Sequence, residues 1–143
     1  MLLPLLTGGE ITLSGVPVAD LHYLCQRIKD AGASISVEDE QITIRHSGDV
    51  SPVSVVTAPH PGFPTDMQAQ WMSVMSLATG TSTITEQIFE NRFMHVPELQ
   101  RLGAKISTNG RLAQVEGVTT SGHDSLIRFH IVLSGLLEPF KGI

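Results

Sequence analysis

Cysteine and clustered basic residues are both scarce in this 143-residue chain, and each shortage closes off a class of function. The single cysteine, Cys25, cannot form an internal disulfide, so no disulfide framework holds the fold. It lies in "LHYLCQRIKDAG", on the apolar face of a helical pattern, where a core thiol is expected rather than a reactive one. Lys and Arg number 9 against 14 Asp and Glu, for a net charge of -5, and they form no stripe. A phosphate-backbone footprint is therefore missing, and nucleic acid is not an expected partner. The six histidines (His22, His46, His60, His95, His123 and His130) show no metal-ligand spacing with Cys or carboxylates. No metal site and no cofactor is expected. No apolar run reaches membrane length, and "MLLPLLTGG" lacks a basic n-region and is interrupted by Pro4, so it reads as neither signal peptide nor membrane span. A reducing, cytoplasmic setting is the expectation.

What is present is enough to fold. Hydrophobic residues make up 41% and charged residues 16%, too apolar a balance for intrinsic disorder. Two segments also look like copies of one another: "GGEITLSGVPVADLHYLCQRIKDAGASISVEDEQITIR" and "GTSTITEQIFENRFMHVPELQRLGAKISTNGRLAQVEGV". Each opens on a strand signal, Ile11-Thr12-Leu13 against Ile84-Thr85, runs through an amphipathic helix and reaches a Gly-Ala pair before alternating residues. In the first copy Leu21, Leu24, Cys25, Ile28 and Ala31 recur at three and four, with Gly32 placed to end the helix. In the second, Val96, Leu99 and Leu102 repeat that face, with Pro97 suited to a first turn and Gly103 to the end. A strand, a polar turn and a strand follow in both, and Asn109-Gly110 is the stronger hairpin signal. Between the copies, residues 53–56 read as a strand and residues 67–77 as a helix ending near Gly80.

One stretch asks for a reason of its own, "PHPGFPTDMQAQW" at residues 59–71. Pro61 and Pro64 fix their own φ and push the preceding residues away from helix, so the chain stays extended and stiff until Thr65. A helix then begins abruptly. Thr65 or Asp66 can cap its exposed N–H groups, and a first-turn carboxylate suits the helix dipole. Read from the residues alone, Asp66 is simply a cap, and a functional carboxylate needs a further argument.

Two long motifs, "PGFPTDMQAQ" and "TITEQIFENRFMHVPELQRLGA", make the choice more pointed, because with them the chain closely resembles the UDP-N-acetylglucosamine 1-carboxyvinyltransferases, enolpyruvyl transferases of peptidoglycan precursor synthesis. The resemblance runs from about Gly8 to Val118 and corresponds to part of the family's C-terminal half. It implies an α/β (α+β) fold, an inside-out α/β barrel of repeated βαβαββ units with helices inside and sheets outside. On that pattern residues 1–80 are a first unit, residues 81–118 the start of a second, and residues 119–143 a divergent tail. It implies transfer of the enolpyruvyl group of phosphoenolpyruvate to the 3'-hydroxyl of UDP-N-acetylglucosamine, chemistry that needs a base near a hydroxyl and cations around a carboxylate and a phosphate. By the same resemblance Asp66 is the base beside the sugar hydroxyl, Arg92 faces the phosphoenolpyruvate carboxylate, and Ile88 gives a backbone contact to the uridine nucleotide. Read from the residues alone, Arg92 pairs with Glu90 or Glu86 on a solvated face, and Phe89 is core or cleft wall rather than a stacking platform.

The resemblance also implies what is absent. The family's N-terminal lysine, its mobile loop with a reactive cysteine, and neighbouring arginines have no counterpart, and Cys25 is not that cysteine. After "VEGV" the family continues to "TDLRAS", where this chain reads "TTSGHDSLIRF"; Arg128 is at most a displaced counterpart. A truncated gene copy or a shifted reading frame would produce such an ending. The expectation is thus a partial member holding one wall of the site, inactive alone, whose partner is a missing N-terminal half or another copy of itself. The alternatives are a non-catalytic UDP-sugar-binding or oligomerising remnant and, behind it, a 3-phosphoshikimate 1-carboxyvinyltransferase.

Overall fold

The computed structural model describes residues 1–118. Arg128, His123, His130 and the rest of the 119–143 segment lie outside the described residues.

After a short helix α1 (Leu3–Thr7), strands β1 (Gly9–Ser14), β2 (Ser34–Glu38) and β3 (Gln41–His46) make an antiparallel sheet in the order β1-β3-β2. Alternation decides which face goes inward: Ile42, Ile44 and His46 on β3 are buried, whereas Gln41 and Arg45 are exposed. Helix α2 (His22–Asp30), entered through a 3-10 turn at Val18–Leu21, buries Leu24 and Ile28. Gly32 follows with φ +105 and its N–H donates to the Lys29 carbonyl, so the glycine placed to end the helix ends it. Cys25 corrects the expectation of a core thiol. It is only half-buried, packed against the edge of the core, although burial still pushes its thiol pKa up.

A second sheet follows, in the order β4-β5-β7-β6, from β4 (Val55–Val56), β5 (Thr81–Thr85), β6 (Lys105–Asn109) and β7 (Leu112–Glu116). β4 and β5 run parallel, and helix α3 (Gln68–Met75) makes the crossover between them. The β5–β7 and β6–β7 pairs are antiparallel. The β6–β7 turn falls on Gly110-Arg111, one residue beyond the Asn109-Gly110 pair, with Gly110 in the left-handed region at φ +57. Helix α4 (Val96–Arg101) carries Pro97 in its first turn, buries Val96 and Leu99, and stops at Gly103, φ +100. From β4 onward the element order is strand, helix, strand, helix and a strand pair, spanning Val55 to Glu116. The sheets themselves group residues 9–46 and 55–116.

Helix α3 explains how the second sheet is held. Gln68, Trp71, Met72, Ser73, Val74 and Met75 are all buried, so the helix is covered on every side rather than along one stripe. Trp71 packs edge-on to Phe63 with ring centroids 5.5 Å apart, and its indole N–H donates to the Val53 carbonyl at 3.2 Å. Met75 Sδ accepts from the Val53 N–H and the Ser82 hydroxyl, each at 3.2 Å, tying the helix to the segments on both sides of it. Among the described residues, no helix is long and apolar enough to cross a membrane.

Candidate functional site

Three segments meet at one end of the second sheet: the residues just after β4, the start of α3, and the loop after β5. The prolyl stretch brings the second of them into place. Thr57 and Phe63 bridge, Ala58 N–H donates to the Phe63 carbonyl at 3.0 Å, and Pro64 stays extended at ψ 135 before a 3-10 turn over Thr65–Met67 feeds α3. The expected cap does not form. Neither Thr65 nor Asp66 caps the helix through its side chain, because the helix proper starts only after the 3-10 turn, and both side chains are engaged elsewhere.

Asp66 turns outward. Its carboxylate is 87% exposed, and Oδ1 accepts from Arg92 Nη2 at 3.0 Å. The two residues are separated in sequence by an entire helix and strand, yet the fold sets them side by side. The Arg92 guanidinium also lies over the Phe89 ring, 5.6 Å from its centroid, so cation and aromatic face support one another. Phe89 is accordingly half-exposed and not a core residue, and Met94 beside this loop is exposed as well. Arg92 pairs with neither Glu90 nor Glu86. Glu90 is held by Arg111 at 3.2 Å, and Arg111 Nη1 also donates to the Gln87 carbonyl, so a second arginine fixes the outer side of the loop.

Glu86 is the residue that motif reading passed over. It is only 1% exposed, and its carboxylate accepts five hydrogen bonds from uncharged donors. Oε1 takes the Thr57 hydroxyl at 2.8 Å, the Ile88 N–H at 2.8 Å and the Phe89 N–H at 3.1 Å. Oε2 takes the Thr65 hydroxyl at 2.8 Å and the Gln68 side-chain amide at 2.7 Å. Burial works to raise its pKa, but the bonds from Thr65, Phe89, Thr57 and Ile88 outweigh that and hold it below the usual glutamate value. A signal for it was available in "TSTITE". Ser82 and Ile84 point inward at a period of two, and continuing that period one step past the strand end sends Glu86 inward with them.

Ile88 lies in the same loop, half-buried. Its N–H is committed to Glu86. Of the described histidines, His60 lies in the prolyl stretch and sits 3.5 Å from Asp20, while His46 is buried and donates from Nδ1 to the Gly32 carbonyl at 3.2 Å. Among the described residues, no group of three or more His, Cys, Asp or Glu is arranged to hold a metal ion.

Known proteins are similar to this chain in sequence and in fold. UDP-N-acetylglucosamine 1-carboxyvinyltransferase of Zymomonas mobilis is 49% identical over 114 residues, covering 80% of this chain and 27% of that protein. The protein of the same name from Beijerinckia indica is 54% identical over 116 residues, and the one from Gluconobacter oxydans is 42% identical over 137 residues, covering 92% of this chain and 33% of that protein. The chain thus spans between a quarter and a third of the length of these relatives. Among solved structures, the enolpyruvyl transferase NikO from Streptomyces tendae superimposes with a TM-score of 0.70 at 21% identity, over 90% of this chain and 32% of that one. EPSP synthase from Acinetobacter baumannii does so with a TM-score of 0.58 at 18% identity, over 93% of this chain and 35% of that one. At such identities the two structures speak to the fold, and the fold is that of the enolpyruvyl transferases. The family model for EPSP synthase (3-phosphoshikimate 1-carboxyvinyltransferase) matches residues 1–130, running on past Val118, and the chain belongs to that family.

Proposed function

We propose that this chain supplies one wall of a site that transfers the enolpyruvyl group of phosphoenolpyruvate to the 3'-hydroxyl of UDP-N-acetylglucosamine, in a cytoplasmic step of peptidoglycan precursor synthesis. The observation that carries this reading is the 3.0 Å approach of Asp66 and Arg92 on an exposed face, a base and a guanidinium delivered to one place by two separate motifs. The choice of UDP-sugar over shikimate phosphate is supported by the relatives of 42–54% identity, against 18% for the EPSP synthase structure.

The chemistry divides as follows. Asp66 takes the proton of the sugar hydroxyl as its oxygen adds to C2 of phosphoenolpyruvate, while C3 takes a proton from an acid outside this chain. Loss of phosphate and of a C3 proton then leaves the enol ether. Arg92 meets the phosphoenolpyruvate carboxylate with its planar fork, and in doing so gives up Asp66. Both partners of that ion pair are substantially exposed, so exchanging it for substrate contacts costs little, about 0–1 kcal/mol for an exposed pair. Ile88 offers its carbonyl oxygen to the nucleotide, since its N–H is already held by Glu86. The lysine, the cysteine loop and the further arginines of the resemblance would come from an N-terminal half or from another copy of the chain.

Phosphate release from phosphoenolpyruvate plus UDP-N-acetylglucosamine tests the proposal, first with the chain alone at high concentration and then with an N-terminal half of a relative added. Turnover in either mixture that disappears in Asp66→Ala is the expected result. Turnover unchanged in Asp66→Ala would remove Asp66 from the role of base. Absence of turnover together with absence of UDP-N-acetylglucosamine binding in both mixtures would leave the non-catalytic remnant as the better description.

A further inference from the structure

Resting on the active-site reading above, the geometry points to Glu86 as the positioning residue of this wall. Its ionised carboxylate clamps the turn that carries Asp66 to the loop that carries Ile88 and Arg92, and so sets the separation between base and guanidinium. Glu86 itself touches no substrate.

Three features of the carboxylate lead there. The first is its reach. One oxygen binds Thr65, adjacent to Asp66, and Gln68 at the start of α3; the other binds the Ile88 and Phe89 N–H groups and Thr57 at the end of β4. Thr57 is itself shared, its hydroxyl oxygen accepting the Gln87 N–H at 2.9 Å, so the clamp closes on the loop twice. Second, all five donors are uncharged, so the negative charge is not spent on an ion pair and instead orients dipoles from three separate chain segments. Bonds to an ionised acceptor are shorter and stronger than neutral ones, and the 2.7–2.8 Å distances are of that kind. Third, the functional groups on either side of the clamp have little else to hold them. Among the described residues Asp66 makes one exposed ion pair, and Arg92 adds only the Phe89 ring, whose own backbone N–H hangs on Glu86. Two exposed side chains held by no more than each other and one exposed ring would drift by more than the roughly 1 Å that is enough to cost about a hundredfold in rate.

A residue that merely filled the core would affect stability and nothing else, which makes the two roles separable. In Glu86→Gln the side chain keeps its shape but loses the charge and one acceptor face; in Thr65→Val the carboxylate stays and loses its link to the Asp66 turn. Nuclear Overhauser contacts between the Asp66 methylene and the Arg92 side chain, together with the amide shifts of Ile88 and Phe89, read the geometry without any substrate. The Trp71 indole N–H and the methyls of Ile42 and Ile44 report that the core remains folded. Both variants are expected to lose the Asp66–Arg92 contact while those core signals stay, Glu86→Gln is also expected to move the two amide shifts, and Thr65→Ser is expected to restore the contact. UDP-N-acetylglucosamine affinity, measured on the same samples, is expected to fall about tenfold in Glu86→Gln, the effect of losing one charge-assisted hydrogen bond's worth of order. Should Glu86→Gln fail to fold, Thr65→Val, at a half-exposed hydroxyl, carries the same decision.

An Asp66–Arg92 contact of wild-type strength in folded Glu86→Gln or Thr65→Val would overturn the assignment and return Glu86 to the core. Failure of the wild-type chain to bind UDP-N-acetylglucosamine, both alone and with the N-terminal half added, would sink the active-site reading alone, because the substrate-free contacts still decide the role of Glu86.

Discussion

The chain builds the same small scaffold twice and uses it differently. In β1–α2–β2–β3 and in β5–α4–β6–β7 a strand leads through a loop to a helix, the helix stops at a glycine of nearly equal φ (+105 at Gly32, +100 at Gly103), a buried alanine follows, and a hairpin closes. Even the hairpins match, with two-residue turns whose first member is left-handed, Asp39 at φ 52 and Gly110 at φ 57. The loops from strand to helix do not match. Residues 15–21 start from Gly15, while residues 86–95 start from the corresponding Glu86 and go on to Arg92. Shared geometry makes the fold, and the loop that departs from it carries the residues proposed for the chemistry, as expected when a rigid scaffold presents a variable connection.

Substituting that one corresponding position in each copy should break the comparison most severely. Glu86→Ala strands five donors in a site that is almost closed to water, and a loss of about 3–5 kcal/mol is expected, measured as a fall in the urea midpoint. Gly15→Ala meets open space and only the strain of φ +68, for about 1 kcal/mol. Equal losses would mean that the carboxylate is no more than another packed group.

Acid should separate the copies next. The folded pKa of Glu86 lies below its unfolded value, so its contribution is fully present above the unfolded carboxylate range near about 4.3 and is lost as pH falls through the folded value. Unfolding followed from pH 7 down to pH 3 should therefore show a falling acid limb that flattens in Glu86→Gln, since an amide has no proton to gain. A limb of unchanged slope in that variant would assign the acid sensitivity to other carboxylates.

Much of this was legible in the sequence, and the exceptions have physical causes. The repeat, both helix-ending glycines, Pro97 in a first turn and the approximate helices followed from local periodicity and backbone preference, which neighbouring residues alone determine. The Thr65/Asp66 cap failed because three further residues of 3-10 turn preceded the helix and tertiary partners took both side chains. The hub at Glu86 was hidden for a related reason: its donors come from Thr57, Thr65 and Gln68, far away in sequence and joined only by the β4–α3–β5 crossover. The resemblance supplied Asp66 and Arg92 as separate residues; that they meet is a property of the fold.

The common part of the scaffold predicts equality rather than difference. Gly32→Ala and Gly103→Ala each force a side chain into a positive-φ helix end, and each should cost at least about 1 kcal/mol, by the same amount within experimental error. Gly32 lies 3.5 Å from the Asp49 carbonyl and the His46 ring at the point where a Cβ would stand, ordinary contact distances that add little. A loss at one position but not the other would show that the copies share sequence without sharing energetics.

Asp66→Asn is the smallest expected change to the fold and the one that separates scaffold from site most cleanly. The pair with Arg92 is exposed on both sides, so removing its charge should alter stability by about 0–1 kcal/mol, and by less as salt is raised. Arg27 and Asp30 on α2 form the matching control in the first copy, an i,i+3 pair at 2.7 Å whose loss should also be small. The two substitutions therefore predict alike for stability and unlike for ligand. Asp30→Asn should leave UDP-N-acetylglucosamine affinity untouched, whereas Asp66→Asn should weaken it or abolish turnover while the chain stays folded. A residue whose removal the fold barely notices, held in place by a neighbour whose removal costs the fold several times more, is what a site built on a repeated scaffold should contain. Matching ligand responses from Asp30→Asn and Asp66→Asn would mean that the second loop is only a longer version of the first.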